Sequence, residues 1–465
     1  MKGNHLVSSR FCQTLLPPTF NTSEMSLAQL LDIALQNNPS TKQTWAMARA
    51  SAARYGETMS AFLPDIEFSS FYFRQRAAFP NTSVPTTAGS ALPTSGGTET
   101  NIGGSTFFGS TTTSTQPIYF TEAGPDLTLS YTLFDFGQRT AASLAAREAL
   151  YYADLTHNQQ IQIVLETVMS DYYNYLYEIS VLRSTEANLA NAELSLDAAN
   201  QKFALGLAAL GDVAQARTQY LQNKINLTSQ RQSVENAFAL LAADIGLPAN
   251  CPFKVQPLPD QIIAHPVLES VDQLVCLAQN QRQDFLAAQA NIRSKEAALL
   301  GAKRAPLPVI ASSFDFGRYY FANGQHEDYH WTALVTLSFP IFNGFFYRNQ
   351  IRNAQANVEL SKAQLLQTEL SIIQDVTTAH LGVKTAAQNL TDSEEYLKAA
   401  ELEFNIAISG YKAGTLTILN VISAQTSVAD ARSKKAGAQK DWFSSLAMLA
   451  FATGSLCATP NEEAL

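Results

Sequence analysis

Two stretches, 138–205 and 345–410, keep a helical period with no proline to break them. At 1.5 Å per residue each makes a rod of about 100 Å, too long for an ordinary globular core. Ile161, Leu165, Val168, Tyr172, Tyr175, Ile179 and Leu182 form a heptad seam on the first. Leu365, Ile372, Val376, Ala379, Val383, Ala386 and Leu390 form one on the second. Each rod ends at a glycine-bearing bend, Lys202 to Val213 and Gly410 to Val421. Aligned on Gly206 and Gly414, the two bends match without a gap. A return helix follows each, over 212–246 and 418–454, stopped by Gly246 with Pro248 and by Gly454.

The rest of the chain repeats as well. Ser26 to Pro64 aligns with Ser270 to Pro308 without a gap. Leu129 to Phe134 aligns with Leu337 to Phe342. The sequence therefore divides into an N-terminal segment of unclear role (1–23), a first repeat (24–248), a proline-rich connector (249–268), a second repeat (269–456) and a tail (457–465). Within each repeat the period changes to two in a pair of strands: 65–76 and 126–136, then 308–321 and 329–342. A Ser/Thr/Gly/Pro-rich loop over 77–121 joins the first pair.

These strands alternate apolar and polar over about ten residues, the pattern of a lipid-facing barrel strand. Four strands cannot close, and an open edge in hydrocarbon leaves backbone groups unpaired. Closure demands several chains; three would give about twelve strands. The fold class expected is an α+β membrane protein. A long antiparallel coiled-coil α-barrel would join four strands per chain contributing to a trimeric twelve-stranded β-barrel. A non-channel coiled-coil scaffold or filament protein, with the strands as a small cap, is the alternative.

Composition narrows the function classes. A net charge of -9 and a pI near 5.3 argue against nucleic-acid binding. Cys12, Cys251, Cys276 and Cys457 form no C-x-x-C pair, so no metal or redox motif is indicated. Cys251 and Cys276 are candidates for a bridge in an oxidising compartment, with isolated thiols the plainer reading of their spacing. The apolar content of 1–18 is interrupted by Ser8, Ser9 and Arg10, a poor signal-peptide core. His326-Glu327-Asp328-Tyr329-His330 fits H-E-x-x-H, but that zinc chemistry needs a helix, and this stretch runs into the alternating strand at Trp331. No enzyme and no cofactor are expected.

The bends carry a resemblance. Lys202 to Val213 with Gln215-Ala216-Arg217 resembles the first periplasmic turn of the TolC-like outer-membrane channels. Gly410-Tyr411-Lys412-Ala413-Gly414-Thr415 with Asn420-Val421 resembles the second. Leu129 to Gly137 resembles the family's strand-to-helix junction, and Leu30 to Pro39 its opening helix. The resemblance spans about 24–456 and implies a passive homotrimeric export duct in the outer membrane of a Gram-negative bacterium, serving a tripartite efflux pump or type I secretion system. Its implied partners are outer-membrane lipid, a periplasmic adaptor (membrane fusion) protein and an inner-membrane pump of RND or ABC type. It places adaptor docking at Gly206, Leu207, Gly211, Gly414 and Thr415, and a gate constriction at Asp212, Tyr411, Leu416, Asn420 and Ser423. The family's best-known pattern has an arginine and two aspartates where this chain has Leu416, Asn420 and Ser423. Closure is accordingly expected from packing of Leu416 and Ile418, with hydrogen bonds from Tyr411, Asp212 and Asn420, and without a strong cation preference.

Overall fold

The structure is a computed structural model that describes residues 24–79, 116–251, 253–257, 269–321 and 328–457. In chain order it contains α1 (Leu27–Asn37), α2 (Pro39–Ser60), β1 (Asp65–Phe79), β2 (Gln116–Phe134), α3 (Gln138–Ala204) and α4 (Leu210–Ile245). Then follow α5 (Val271–Gln281), α6 (Gln283–Arg304), β3 (Val309–Phe321), β4 (Asp328–Ser338), α7 (Phe346–Ala413), α8 (Ile418–Thr453) and a short 3-10 turn, Ser455–Cys457. The chain forms two compact units: one of helices, and one holding the sheet with the helix ends that feed it.

The repeats match element by element. α1 and α5 have 11 residues each, α2 and α6 have 22, and α4 and α8 have 36. Ser26 and Ser270 cap α1 and α5 with the same reciprocal box, each serine accepting from the N–H of the glutamine three residues on. Gly246 and Gly454 end α4 and α8 at φ of 82° and 77°. A Cβ on Gly246 would lie 2.8 Å from the carbonyl carbon of Asn37, and one on Gly454 would lie 2.9 Å from that of Gln281. Each return helix is thus pressed against the joint between the two short helices of its own repeat.

The helical unit has its core in two matching clusters. Leu30, Ile33 and Ala34 of α1, Val164, Val168, Tyr172 and Leu176 of α3, and Leu241, Ala242 and Ile245 of α4 make the first. Ile372, Val376, Ala379, Val383, Ala386 and Leu390 of α7 make the second with Leu274, Ala278 and Trp442. On α7 the buried row follows the expected seam from Ile372 to Leu390, with Leu365 half-buried. On α3 the fully buried row is Val164, Val168, Tyr172 and Leu176, spaced by four. Ile161, Leu165, Tyr175, Ile179 and Leu182 are only half-buried. A spacing of four overshoots the helical turn of 3.6, so this stripe rotates slowly around α3 as it climbs. Tyr173 stacks on Phe443 of α8 at 4.9 Å, joining the repeats.

In the other unit the sheet runs β1-β2-β3-β4, antiparallel throughout. β2 begins at Gln116, ten residues before the expected 126, and β1 extends to Phe79, so both ends of the expected loop 77–121 are strand. Pro117, Gly124 and Pro125 are poor strand residues in isolation, but a continuous register from Asp65↔Ser130 to Phe79↔Gln116 carries them. β2 stops at Phe134, short of the expected 136, because Phe136 and Gly137 turn to φ of 50° and 84°. Asp135 receives the N–H of Gly137 at 3.1 Å and that of Arg139 at 2.7 Å there, opening α3. β4 stops at Ser338, short of the expected 342, and Pro340 has no N–H for a ladder. β3 and β4 begin at 309 and 328, each within one residue of expectation. His326 and Glu327 of the H-E-x-x-H tract lie outside the described residues.

His330 stands in β4, in extended backbone, paired with Gly317, so the last histidine of the H-E-x-x-H tract is not on a helix. Cys251 is disulfide-bonded, to a partner outside the side chains described, while Cys276 is a free, exposed thiol. The Cys251–Cys276 bridge is therefore not formed, and Cys251 is not an isolated thiol either.

Candidate functional site: the paired helical bends

Both bends close with the same hydrogen bonds. At the first, Gly206 takes φ of 70°, its N–H reaches the Phe203 carbonyl at 2.9 Å, and Leu207 N–H reaches the Lys202 carbonyl at 2.8 Å. At the second, Gly414 takes φ of 79°, its N–H reaches the Tyr411 carbonyl at 3.1 Å, and Thr415 N–H reaches the Gly410 carbonyl at 2.9 Å. This is the Schellman ending, which needs a left-handed residue after the last helical turn, and glycine adopts it freely. α7 consequently runs to Ala413, beyond the expected 410, with Gly410 inside its last turn.

The restart of each return helix is also shared. The Asp212 carboxylate accepts from Ala209 N–H at 3.3 Å. Asn420 Oδ1 accepts from Thr417 N–H at 3.1 Å and from the Thr417 hydroxyl at 2.7 Å. Asp212 and Asn420 occupy the same place in the two bends, and each returns a side chain to the residue that opens its helix. α4 therefore begins at Leu210, two residues before the expected start. Their hydrogen bonds in this chain are local caps. The hydroxyl of Tyr411 is buried with no hydrogen-bond partner among the described residues. Burial, then the charge of Asp212, push that phenol above its ordinary value, so it stays protonated.

A residue without an assigned role joins the bends. Lys202, at the end of α3, donates from Nζ to the Tyr411 carbonyl, and its ammonium lies 3.9 Å from the centre of the Tyr411 ring. Beneath that contact Ala199 and Ala216 pack with Ala407, Tyr411, Ile418, Val421 and Ala424. Ile418 is thus fully engaged inside the chain. Leu416 is half-buried and folds over Gly410, where an added Cβ would meet its Cδ1 at 2.6 Å. Leu416, Asn420 and Ser423 line one wall of a groove of about 440 Å³, faced by Leu402, Glu403 and Ile406 of α7. Asn420, Ser423, Gly211 and Thr415 are exposed, as are Leu205, Leu207 and Leu210, the two leucines nearest Gly206 at 74% each.

The four-stranded sheet adds the second half of the picture. One face carries Ile66, Phe68, Leu127, Phe314, Trp331, Val335 and Leu337, all exposed. The other carries Glu67, Asp126, Thr128 and Asp315. Duplicated long helical hairpins joined to an apolar-faced sheet define a membrane channel subunit of the outer-membrane type. The family model for outer membrane efflux proteins matches this chain twice, over residues 30–247 and 274–455, and the chain belongs to that family of channel proteins. It is 24% identical over 359 residues to the outer membrane protein TolC of Salmonella enteritidis, covering 74% of this chain and 70% of that protein. It is 24% identical over 425 residues to the protein CyaE of Bordetella pertussis, covering 90% and 81%. The solved outer membrane protein VceC of Vibrio cholerae superposes with a TM-score of 0.73 at 19% identity, over 92% of this chain and 96% of that one.

Proposed function

We propose that the chain is the outer-membrane channel subunit of a tripartite efflux pump or type I secretion system, acting as a passive homotrimeric duct. The observation that carries this reading is the sheet. Its apolar face is exposed, and β1 and β4 each have one edge with no neighbouring strand among the described residues. Lipid satisfies the face, and further copies of the sheet satisfy the edges by closing a barrel. A soluble scaffold would leave both in water.

The bends serve as the periplasmic mouth in this reading. Gly206, Leu207, Gly211, Gly414 and Thr415 present the surface for a periplasmic adaptor, and exposed Leu205, Leu207 and Leu210 supply apolar area for a partner to cover. Tyr411, Leu416, Asn420, Ser423 and Asp212 form the constriction, held by Lys202 and the packed alanines. The duct has no energy source of its own, so an inner-membrane pump and its adaptor drive opening. Membrane fractionation with cross-linking tests the proposal. A cross-linked trimer in the outer-membrane fraction is expected; recovery as a soluble species after export would sink it.

A further inference from the structure

The ladder register sorts every charged side chain of the sheet by face. Asp65, Glu67, Glu122, Asp126, Asp315 and Asp328 all stand on the polar face. No lysine or arginine of the described side chains stands there. Among the described side chains, both arginines of the sheet, Arg74 and Arg318, stand on the apolar face, which holds no acid. Glu67, Thr128, Asp315 and Thr332 lie side by side across all four strands, so two carboxylates share one row.

A second, separate observation points the same way. Asp126 is 8% exposed, and its Oδ1 is buried with no hydrogen-bond partner. It sits one row from Glu67, beside Gly317, where any Cβ would meet Asp126 Oδ1 at 2.7 Å and also clash with His330 Cε1. The glycine opens a space over which Asp126 and His330 approach to 3.6 Å, with His330 stacked on Tyr319 at 3.9 Å. His330 is the one side chain of that face able to carry a positive charge among those described. A desolvated carboxylate with no fixed donor attracts a cation from the water beside it.

We infer that the polar face of the sheet is a charge filter, favouring cations and cationic or neutral solutes over anions inside the barrel. The inference rests on the channel reading above, in which that face lines the lumen. The uncharged Leu416, Asn420 and Ser423 leave the mouth at the helical bends without an acidic ring, so the discrimination moves to the strands. Low-dielectric walls strengthen it, because the lipid behind the sheet focuses the field of the carboxylates into the water they line. Repeating the acidic face around a closed barrel would multiply each charge into a ring, the arrangement that sets ion preference in pores.

The test uses the full chain in planar lipid bilayers under a KCl gradient at pH 8. Wild-type channels are expected to show a reversal potential of cation preference. The double variant Glu67→Gln/Asp315→Asn, which keeps side-chain size, is expected to cut that potential by about half. Thr128→Lys, a cation placed in the same row, is expected to abolish or invert it. Discrete channels whose reversal potential is the same in wild type and both variants would overturn the filter and leave the channel reading standing. A wild-type protein that forms no discrete conductance would overturn the channel reading, and the filter with it.

Discussion

The ammonium of Lys202 lies over the ring of Tyr411 and donates to the same residue's carbonyl, tying the end of α3 to the end of α7. Two helix ends that the sequence places far apart are thus fastened at one residue. The carbonyl it uses is also the acceptor of Gly414 N–H. The fastening and the bend therefore move together.

Lys202→Met keeps the stem of the side chain and removes its charge. It is expected to raise the open probability of the channel in bilayers, with no loss of trimer or of membrane insertion. Lys202→Arg, which keeps a cation over the ring, is expected to stay closed like the wild type. Equal conductance in all three would remove Lys202 from the gate.

Asp171 on α3 is pushed up to about 8 from an ordinary value of 3.8, chiefly by burial, then by the neighbouring carboxyls of Asp244 and Glu166. Asp171 and Asp244 can bond only while one of them keeps its proton, since two carboxylates offer no donor. The folded chain therefore holds a proton that the unfolded chain releases. The stability this gives is full below about pH 4 and is lost as pH rises towards about 8. Asp171→Asn supplies a permanent donor. Thermal unfolding followed by circular dichroism should show a flatter profile between those limits and a higher Tm at pH 8.

The four left-handed helix-end glycines separate into two pairs. Gly206 and Gly414 have nothing within 4 Å of an added Cβ, so alanine there bears only the backbone cost of about 1 kcal/mol. Gly246 and Gly454 face backbone atoms at 2.8 and 2.9 Å, and alanine there must also displace the joint of the short helices. A loss of at least about 2 kcal/mol is expected for each. Unfolding midpoints of the four single variants rank them directly.

Arg282 is buried between two carboxylates, Asp284 at 2.6 Å and Asp375 at 3.0 Å. Arg282→Ala strands both charges and should cost about 3 kcal/mol. Val335→Arg places a cation on the apolar face of the sheet. Its cost near mid-bilayer is about 2–4 kcal/mol, so reduced recovery of the trimer from outer membranes is the expected result.

Much of this architecture was legible because it rests on periodicity. The change from a helical period to a period of two marks the strands, and the gapless match of Gly206 with Gly414 marks the bends. What escaped depended on partners distant in sequence. Residues 116–121 look like loop, and become strand only because β1 offers a continuous ladder. Lys202 looks like an ordinary basic residue near a helix end until α7 brings Tyr411 beneath it. Asp212 and Asn420 were expected as hydrogen-bonding residues of a closed mouth, and their caps on their own helix starts were not visible in spacing. Spacing did not reveal the bridge at Cys251, since cysteine pairing is set by geometry in space.

Gly246 closes on Asn37 and Gly454 closes on Gln281, so each repeat joins its last helix to its own first two. Gln162 of the first half also donates to the Gly454 carbonyl at 3.4 Å, so the second splice carries a contact from the other half. Each half is therefore pinned within itself and tied to the other, so a chain cut within 258–268 is expected to hold together as two pieces. Each half can thus vary its own bend, acidic at Asp212 and neutral at Asn420, while both keep the same glycine splice.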